Sequence, residues 1–328
     1  MRKNVLLLET IAEEALMALQ AEVNVFTGYD DASLKVALEH GDIHAIVTRG
    51  KGLINKPLMD ACPQLQVVAR CGVGLDNVDV SAATARKILV INAPGSNAAT
   101  MAEHTLSLML MGMRNMYESV AQVKQNNWNW RSQYAGDELS GKTLGILGMG
   151  NIGQRVARLG EAFGMEVVYW SRSAHDLPYH QVEIKELLQR SDVVSLHLPF
   201  NNDTSGIIGM EQLGLMKPDA WLINTARGAL VDHTALLQAL NTQKIGGYAA
   251  DVLPEEPPVQ SLPVVQHPRV IVTPHAGSLT IATYKKICQL TISNVVAALT
   301  GKNPDPNSIY NRHALSQATQ GDHRIKKL

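Results

Sequence analysis

Gly148-Met149-Gly150-Asn151-Ile152-Gly153 carries glycines at the spacing of a turn that lets backbone close on a phosphate. The apolar run Thr143–Leu147 precedes it and the helical pattern Ile152–Phe163 follows. In that setting the first glycine makes the tight turn and the second lets main chain approach a pyrophosphate. The third lets the helix pack on the sheet, and its first amides, those of Asn151 and Ile152 included, face the anion. Three further segments fall just after expected strand ends: Asn224-Thr225-Ala226-Arg227-Gly228, Asp251-Val252-Leu253-Pro254-Glu255-Glu256-Pro257 and Thr273-Pro274-His275-Ala276-Gly277-Ser278. They supply an arginine, a carboxylate and a histidine where open α/β folds bind ligands. Carbonyl reduction needs that set. A protonated His275 donates to the growing alkoxide, Glu256 favours the imidazolium, and Arg227 holds a 2-keto acid by its carboxylate and polarises the carbonyl.

The strand after the loop ends in Tyr169-Trp170-Ser171-Arg172-Ser173. A site for NAD usually has an acidic residue at the Ser171 position to bond the adenine-ribose 2′-hydroxyl. Here an arginine follows a serine. Arg172 can pair a 2′-phosphate, with Ser171 and Ser173 as neutral donors, so NADP is favoured over NAD.

Two series of short β-rich runs alternating with helical segments must position these residues. The first is Asn4–Leu8, Val23–Thr27, Ala45–Thr48, Leu65–Ala69 and Leu89–Asn92. The second is Thr143–Leu147, Val167–Trp170, Val193–Leu198, Ala220–Asn224, Gly247–Asp251 and Val270–Thr273. The alternation predicts an α/β protein with two open, doubly wound domains. Ala98–Arg114 predicts a long helix whose methionines at 101, 109, 111 and 113 pack its interfaces. Tyr117–Asp137, with Trp128 and Trp130, lacks clear periodicity and is expected to be a connecting arm.

Composition narrows the classes of function. A formal net charge of −1 gives no field for nucleic acid or an anionic membrane, and no run is long enough to span a bilayer. The first apolar run ends at Glu9, too soon for a signal peptide, so a cytoplasmic location is the default expectation. Cys62, Cys71 and Cys288 show no metal or disulfide spacing. His40 and His44 are interrupted by Gly41 and lack an HExxH pattern, so no metal is expected. No GxSxG elbow occurs, which leaves a hydrolase without its nucleophile.

Further motifs carry a resemblance from about Ala45 to Leu299. Arg70-Cys71-Gly72-Val73-Gly74-Leu75-Asp76-Asn77-Val78-Asp79, Asn92-Ala93-Pro94 with Asn97, and Met101-Ala102-Glu103-His104 resemble signatures of the D-isomer-specific 2-hydroxyacid dehydrogenases. The resemblance implies a Rossmann-type cofactor domain (99–282) inserted in a flavodoxin-like substrate domain (1–98 and 283–328), with the active site in the cleft. It places Arg227, Glu256 and His275 on the family's catalytic triad and the amides of Val73 and Gly74 on the substrate carboxylate. Asp251 falls near the nicotinamide carboxamide and Thr100 near the cofactor. It also implies a homodimer joined through the cofactor domain and the Trp128–Asp137 arm. The segment Ala69–Glu103 is most similar to phosphoglycerate dehydrogenases, where Arg49 and Arg131 would meet the substrate phosphate, although the chain leaves no room for a regulatory domain. Ser171-Arg172-Ser173 instead resembles NADPH-linked glyoxylate and hydroxypyruvate reductases. The substrate therefore stays open between 3-phosphoglycerate and glyoxylate, hydroxypyruvate or D-glycerate. A dinucleotide-binding corepressor of the same fold, without turnover, is the alternative; the complete arginine, glutamate and histidine set argues against it.

Overall fold

The computed structural model describes residues 2–39, 42–258 and 262–315, so His40 lies outside the described residues. The chain forms two compact units, one of residues up to Asn97 together with those from Leu279 onward, the other Ala98–Ser278.

The first unit opens with β1 (Asn4–Leu7), α1 (Glu13–Glu22), β2 (Asn24–Thr27), α2 (Asp31–Glu39) and β3 (Ile43–Thr48). It continues with α3 (Lys56–Asp60), β4 (Val67–Arg70), α4 (Val80–Ala85) and β5 (Leu89–Ile91). The five strands are parallel in the order β2-β1-β3-β4-β5, the flavodoxin-like arrangement. Period-two alternation explains why the run from Val5 to Leu8 is apolar at every position. Val5 and Leu7 enter one core layer while Leu6 and Leu8 enter the opposite one, so the sheet is covered on both faces.

The second unit begins with α5 (Ala98–Met113), α6 (Met116–Lys124) and a 3-10 turn over Trp128–Gln133. There follow β6 (Thr143–Leu147), α7 (Asn151–Ala162), β7 (Glu166–Trp170), β8 (His180–Gln181), α8 (Ile184–Arg190) and β9 (Val193–Leu196). Then come α9 (Met210–Leu215), β10 (Trp221–Asn224), α10 (His233–Asn241), β11 (Gly247–Ala250) and β12 (Val270–Val272). All seven strands are parallel, in the order β12-β11-β10-β9-β6-β7-β8. The winding reverses between β6 and β9, which opens a crevice at their carboxyl ends. Helix α5 packs on α7, and Met101, Met109 and Met113 are buried as packing residues. The last helix, α11 (Ile281–Leu299), belongs to the first unit, where Ile287, Cys288, Ile292 and Val295 join the layer of α1.

Two elements differ from expectation. Strand β8 is a seventh, edge strand of only His180 and Gln181, both exposed, so no apolar run announces it. The arm after Tyr117 begins with a true helix, α6, which buries no residue. Its apolar residues Met116, Val120 and Val123 do recur at helical spacing, but they face outward. Cys62, Cys71 and Cys288 are free and buried, all in the first unit. No helix among the described residues is long and apolar enough to cross a membrane, and no described group of residues could hold a metal.

Candidate active site

The glycine turn lies at the crevice between β6 and β9. Gly148 adopts φ +103°, and a methyl there would sit 2.6 Å from the carbonyl oxygen of His197, just beyond β9. Gly153 faces the Gly148 carbonyl so closely that any side chain would collide with it. A Cβ on Gly150, by contrast, meets nothing within 4 Å. The one glycine expected to let a ligand approach therefore borders open space, while the other two are needed for turn and packing. Helix α7 starts at Asn151 without a side-chain cap, which leaves its first amides available to an anion. The donor set and the open cradle fit a dinucleotide pyrophosphate. Beside the turn, burial draws the His197 imidazole down to a pKa of about 4, so it is neutral, and its Nε2 lies 2.9 Å from Ser195 Oγ.

At the end of the neighbouring strand β7, Ser171, Arg172 and Ser173 begin a loop. Arg172 and Ser173 are exposed, and among the described residues the Arg172 guanidinium has no hydrogen bond or ion pair. Ser171 Oγ lies 3.2 Å from His175 Nε2.

Arg227, Glu256 and His275 follow β10, β11 and β12 and come together. His275 Nδ1 and Glu256 Oε2 are 2.5 Å apart, and Glu256 Oε1 accepts from the Leu253 amide at 2.7 Å. The carboxylate raises the His275 pKa against the effect of burial. Burial also acts to raise the Glu256 pKa, but the bonds from His275 and the Leu253 amide, with the Arg227 charge, hold it below its ordinary value. The geometry occupies Nδ1 and leaves Nε2 to exchange a proton with a ligand. The ring remains 45% exposed, open enough for that exchange.

Backbone packing fixes this cluster. Asn224 is buried at the end of β10, and its Nδ2 donates to the Arg227 carbonyl at 2.9 Å while its Oδ1 accepts from the Ala226 amide at 3.0 Å. A side chain on Gly228 would collide with the main chain at Leu253, so the arginine and glutamate loops touch at backbone level. His275 itself has φ +51°, uncommon for a residue with a Cβ. Asp251 holds that conformation. Its carbonyl accepts from the His275 amide at 2.9 Å, and its carboxylate accepts from the amides of Ala276 (2.9 Å) and Gly277 (2.8 Å) and from Thr273 Oγ1 (2.5 Å). His104 on α5 lies 3.3 Å from the same carboxylate and 3.0 Å from Thr273 Oγ1. Burial acts to raise the Asp251 pKa, yet the bonds from His104, Thr273 and the two amides keep it below its ordinary value. Sequence reasoning singled out Asp251 near the cofactor but missed Asn224, Thr273 and His104 as its structural companions. Thr100 lies in the first turn of α5, beside Met101, which packs against Gly277.

In the first unit, Val73 and Gly74 lie on the loop after β4. Asn92 Nδ2 donates to the Val73 carbonyl at 2.7 Å, and the Val73 and Gly74 amides have no acceptor among the described residues. Arg49 pairs with Glu9 at 3.0 Å and stacks over the Tyr284 ring at 5.2 Å. Glu9 also accepts from the amides of Arg49 (3.2 Å), Gly50 (2.7 Å) and Lys51 (2.7 Å), so Arg49 has an internal partner. Arg131, in the second unit, is exposed in the 3-10 turn.

The family model of the D-isomer specific 2-hydroxyacid dehydrogenase, NAD binding domain, matches residues 106–277. The chain belongs to this family. It is 36% identical to D-3-phosphoglycerate dehydrogenase of Methanocaldococcus jannaschii over 91% of this chain, but spans only 58% of that protein. It is 38% identical to glyoxylate reductase of Aeropyrum pernix over 94% of this chain and 96% of that one. The solved NADPH-dependent glyoxylate/hydroxypyruvate reductase of Sinorhizobium meliloti, in complex with NADP and malonate, superposes with a TM-score of 0.84 at 29% identity. That match covers 94% of this chain and 98% of the other. Membership in the family accounts for both parallel sheets and for a nucleotide turn at the switch in strand order.

Proposed function

We propose that this 2-hydroxyacid dehydrogenase family member reversibly reduces a small, unphosphorylated 2-keto acid, of the glyoxylate or hydroxypyruvate type, with NADPH as the preferred cofactor. The observation that carries the reading is the 2.5 Å His275–Glu256 pair with Arg227 beside it, at the carboxyl edge of the sheet that bears the glycine turn. When bound, the nicotinamide supplies the hydride that reaches the substrate carbonyl carbon. His275 Nε2 donates the proton that the carbonyl oxygen needs, and Glu256 stabilises the imidazolium before transfer. Arg227 binds the substrate carboxylate and polarises the carbonyl. The amides of Val73 and Gly74, which have no acceptor among the described residues, are proposed as further carboxylate donors. In the cofactor set, Gly148, Gly150, Asn151, Ile152 and Gly153 receive the pyrophosphate, and Ser171, Arg172 and Ser173 the 2′-phosphate. Thr100 and Asp251 border the nicotinamide end.

Two observations support an unphosphorylated acid. The Arg49 charge is already met by Glu9, which makes it a poor receptor for a phosphate dianion. The chain is also 38% identical to a relative named glyoxylate reductase, from Aeropyrum pernix. For the cofactor, an Arg172 without a partner among the described residues and the missing acid at Ser171 support NADPH. A homodimer is proposed from the exposed face of α6, where Met116, Tyr117, Val120 and Val123 are about half exposed or more, at 49–62%.

The test follows NADPH and NADH absorbance with glyoxylate, hydroxypyruvate and phosphohydroxypyruvate. The first two acids should drive NADPH oxidation and the phosphorylated acid should be much the poorest. Faster turnover of phosphohydroxypyruvate would reassign the substrate. Oxidation of neither nucleotide by any 2-keto acid in a broad panel would defeat the dehydrogenase reading in favour of a binding protein.

A further inference from the structure

Beyond β7 the chain folds back on itself, and the fold-back centres on His175. Tyr169, buried within β7, donates from its hydroxyl to the His175 carbonyl at 3.4 Å, and its ring lies 6.3 Å from the imidazole. Gln181 on edge strand β8 donates to the Ser171 carbonyl at 2.9 Å, pinning the start of the same loop. Between these anchors, His175 Nε2 lies 3.2 Å from Ser171 Oγ, so five residues of chain close into a ring. His175 is half-buried and its Nδ1 has no partner among the described residues. The residue at the carboxyl end of this strand faces the adenine-ribose 2′ position in a dinucleotide fold, and here that residue is Ser171.

We propose that His175 is a specificity-determining residue for the cofactor, a donor that joins Ser171 and Arg172 in holding the 2′-phosphate. The inference rests on the NADPH reading above and adds a residue to it. A phosphate group presents several strong acceptor oxygens, and a single exposed arginine engages only one side of it. The imidazole Nε2 and the Ser171 hydroxyl, paired with each other at 3.2 Å, supply a second and a third donor within one phosphate's width once phosphate oxygens replace that mutual bond. Tyr169 and Gln181 hold the main chain at both donors before any ligand arrives, whereas the Arg172 side chain must be ordered on binding. Anchored donors lose less freedom when they bind. A 2′-hydroxyl offers neither the charge nor the number of acceptors to use the set, so the contact discriminates between the two nucleotides.

The test is calorimetric affinity for two cofactor fragments, 2′,5′-ADP and 5′-AMP, with steady-state NADPH and NADH constants as a second readout. Full-length wild type is compared with Arg172→Ala, His175→Ala, His175→Gln and the Arg172→Ala/His175→Ala double variant. His175→Ala should weaken 2′,5′-ADP by about tenfold or more, the scale of one hydrogen bond to a charged group, and leave 5′-AMP within about twofold. His175→Gln, which keeps a neutral donor, should recover part of the loss. If His175 touches the phosphate itself, His175→Ala should still weaken 2′,5′-ADP in the Arg172→Ala background, with its size altered because the two residues share that phosphate. Equal loss for both fragments would mark His175 as a loop pin and overturn the proposal. So would a His175→Ala change that disappears in the Arg172→Ala background, or no change at all. If Arg172→Ala discriminates between the fragments and His175→Ala does not, only the His175 assignment falls. If wild type binds both fragments equally and Arg172→Ala moves neither, the NADPH reading falls with it.

Discussion

The chemistry proposed for His275 rests on one short contact, and its orientation rests on a different residue. Glu256 raises the imidazole pKa above its ordinary 6.5, so the ring keeps its proton further into the neutral range. In the proposed reaction, reduction uses the protonated ring and should fall as pH rises through that raised value, while oxidation uses the neutral ring and should rise over the same interval. Glu256→Gln removes the carboxylate and should move the basic limb of the reduction profile to lower pH. An unmoved limb would separate Glu256 from proton transfer. His275→Ala should cost about two or more orders of magnitude in turnover while binding of 2′,5′-ADP survives. The pair also links stability to pH. The His275 contribution is fully present below its unfolded value and is lost as pH rises through the raised folded value. The Glu256 contribution is present above its ordinary 4.5 and is lost as pH falls through the lowered folded value. The pair therefore stabilises the fold most between those two losses, an order that thermal melts across pH can follow in wild type and Glu256→Gln.

Helix α6 shows where elements escape the usual reading. Its apolar residues Met116, Val120 and Val123 have helical spacing, but each is left about half exposed in its own chain. If that face joins two copies, Val120→Asp with Val123→Asp should raise the dimer dissociation constant by about a hundredfold, as charge buried at an interface centre would. Sedimentation equilibrium measures it, and an unchanged mass distribution would place the interface elsewhere. The long strands of both sheets were legible because apolar runs between helical stretches have few other readings. Strand β8, two exposed polar residues held at an edge by β7, leaves no such trace. The same division runs through the site. Gly148, Arg227, Glu256 and His275 stand out by type and by position after strand ends. The support from Asn224 and His104 does not, because a buried asparagine or a helical histidine acquires meaning only from its partners. For His104 the partner Thr273 is 169 positions away along the chain. The Glu9–Arg49 pair spans forty positions, which is why the sequence offers Arg49 as a phosphate contact with no sign of the carboxylate that engages it in the fold.

At the scale of the molecule, the two units are each wound on their own parallel sheet with their own core layers. The three buried cysteines lie in the first unit, and Trp128, Trp130, Trp170 and Trp221 lie in the second. Nature has thus labelled each half with a different natural probe. In one urea series, thiol reagent uptake reports opening of the first unit and indole emission reports the second. Adding 2′,5′-ADP at about a hundred times its dissociation constant should stabilise the half that binds it by about 2.7 kcal/mol. The indole transition should then move to higher urea while the thiol transition lags behind. Equal movement of both would mean that the halves melt as one cooperative body. The uneven placement of two residue types makes the coupling between the halves measurable in the unmodified protein, with no added dye.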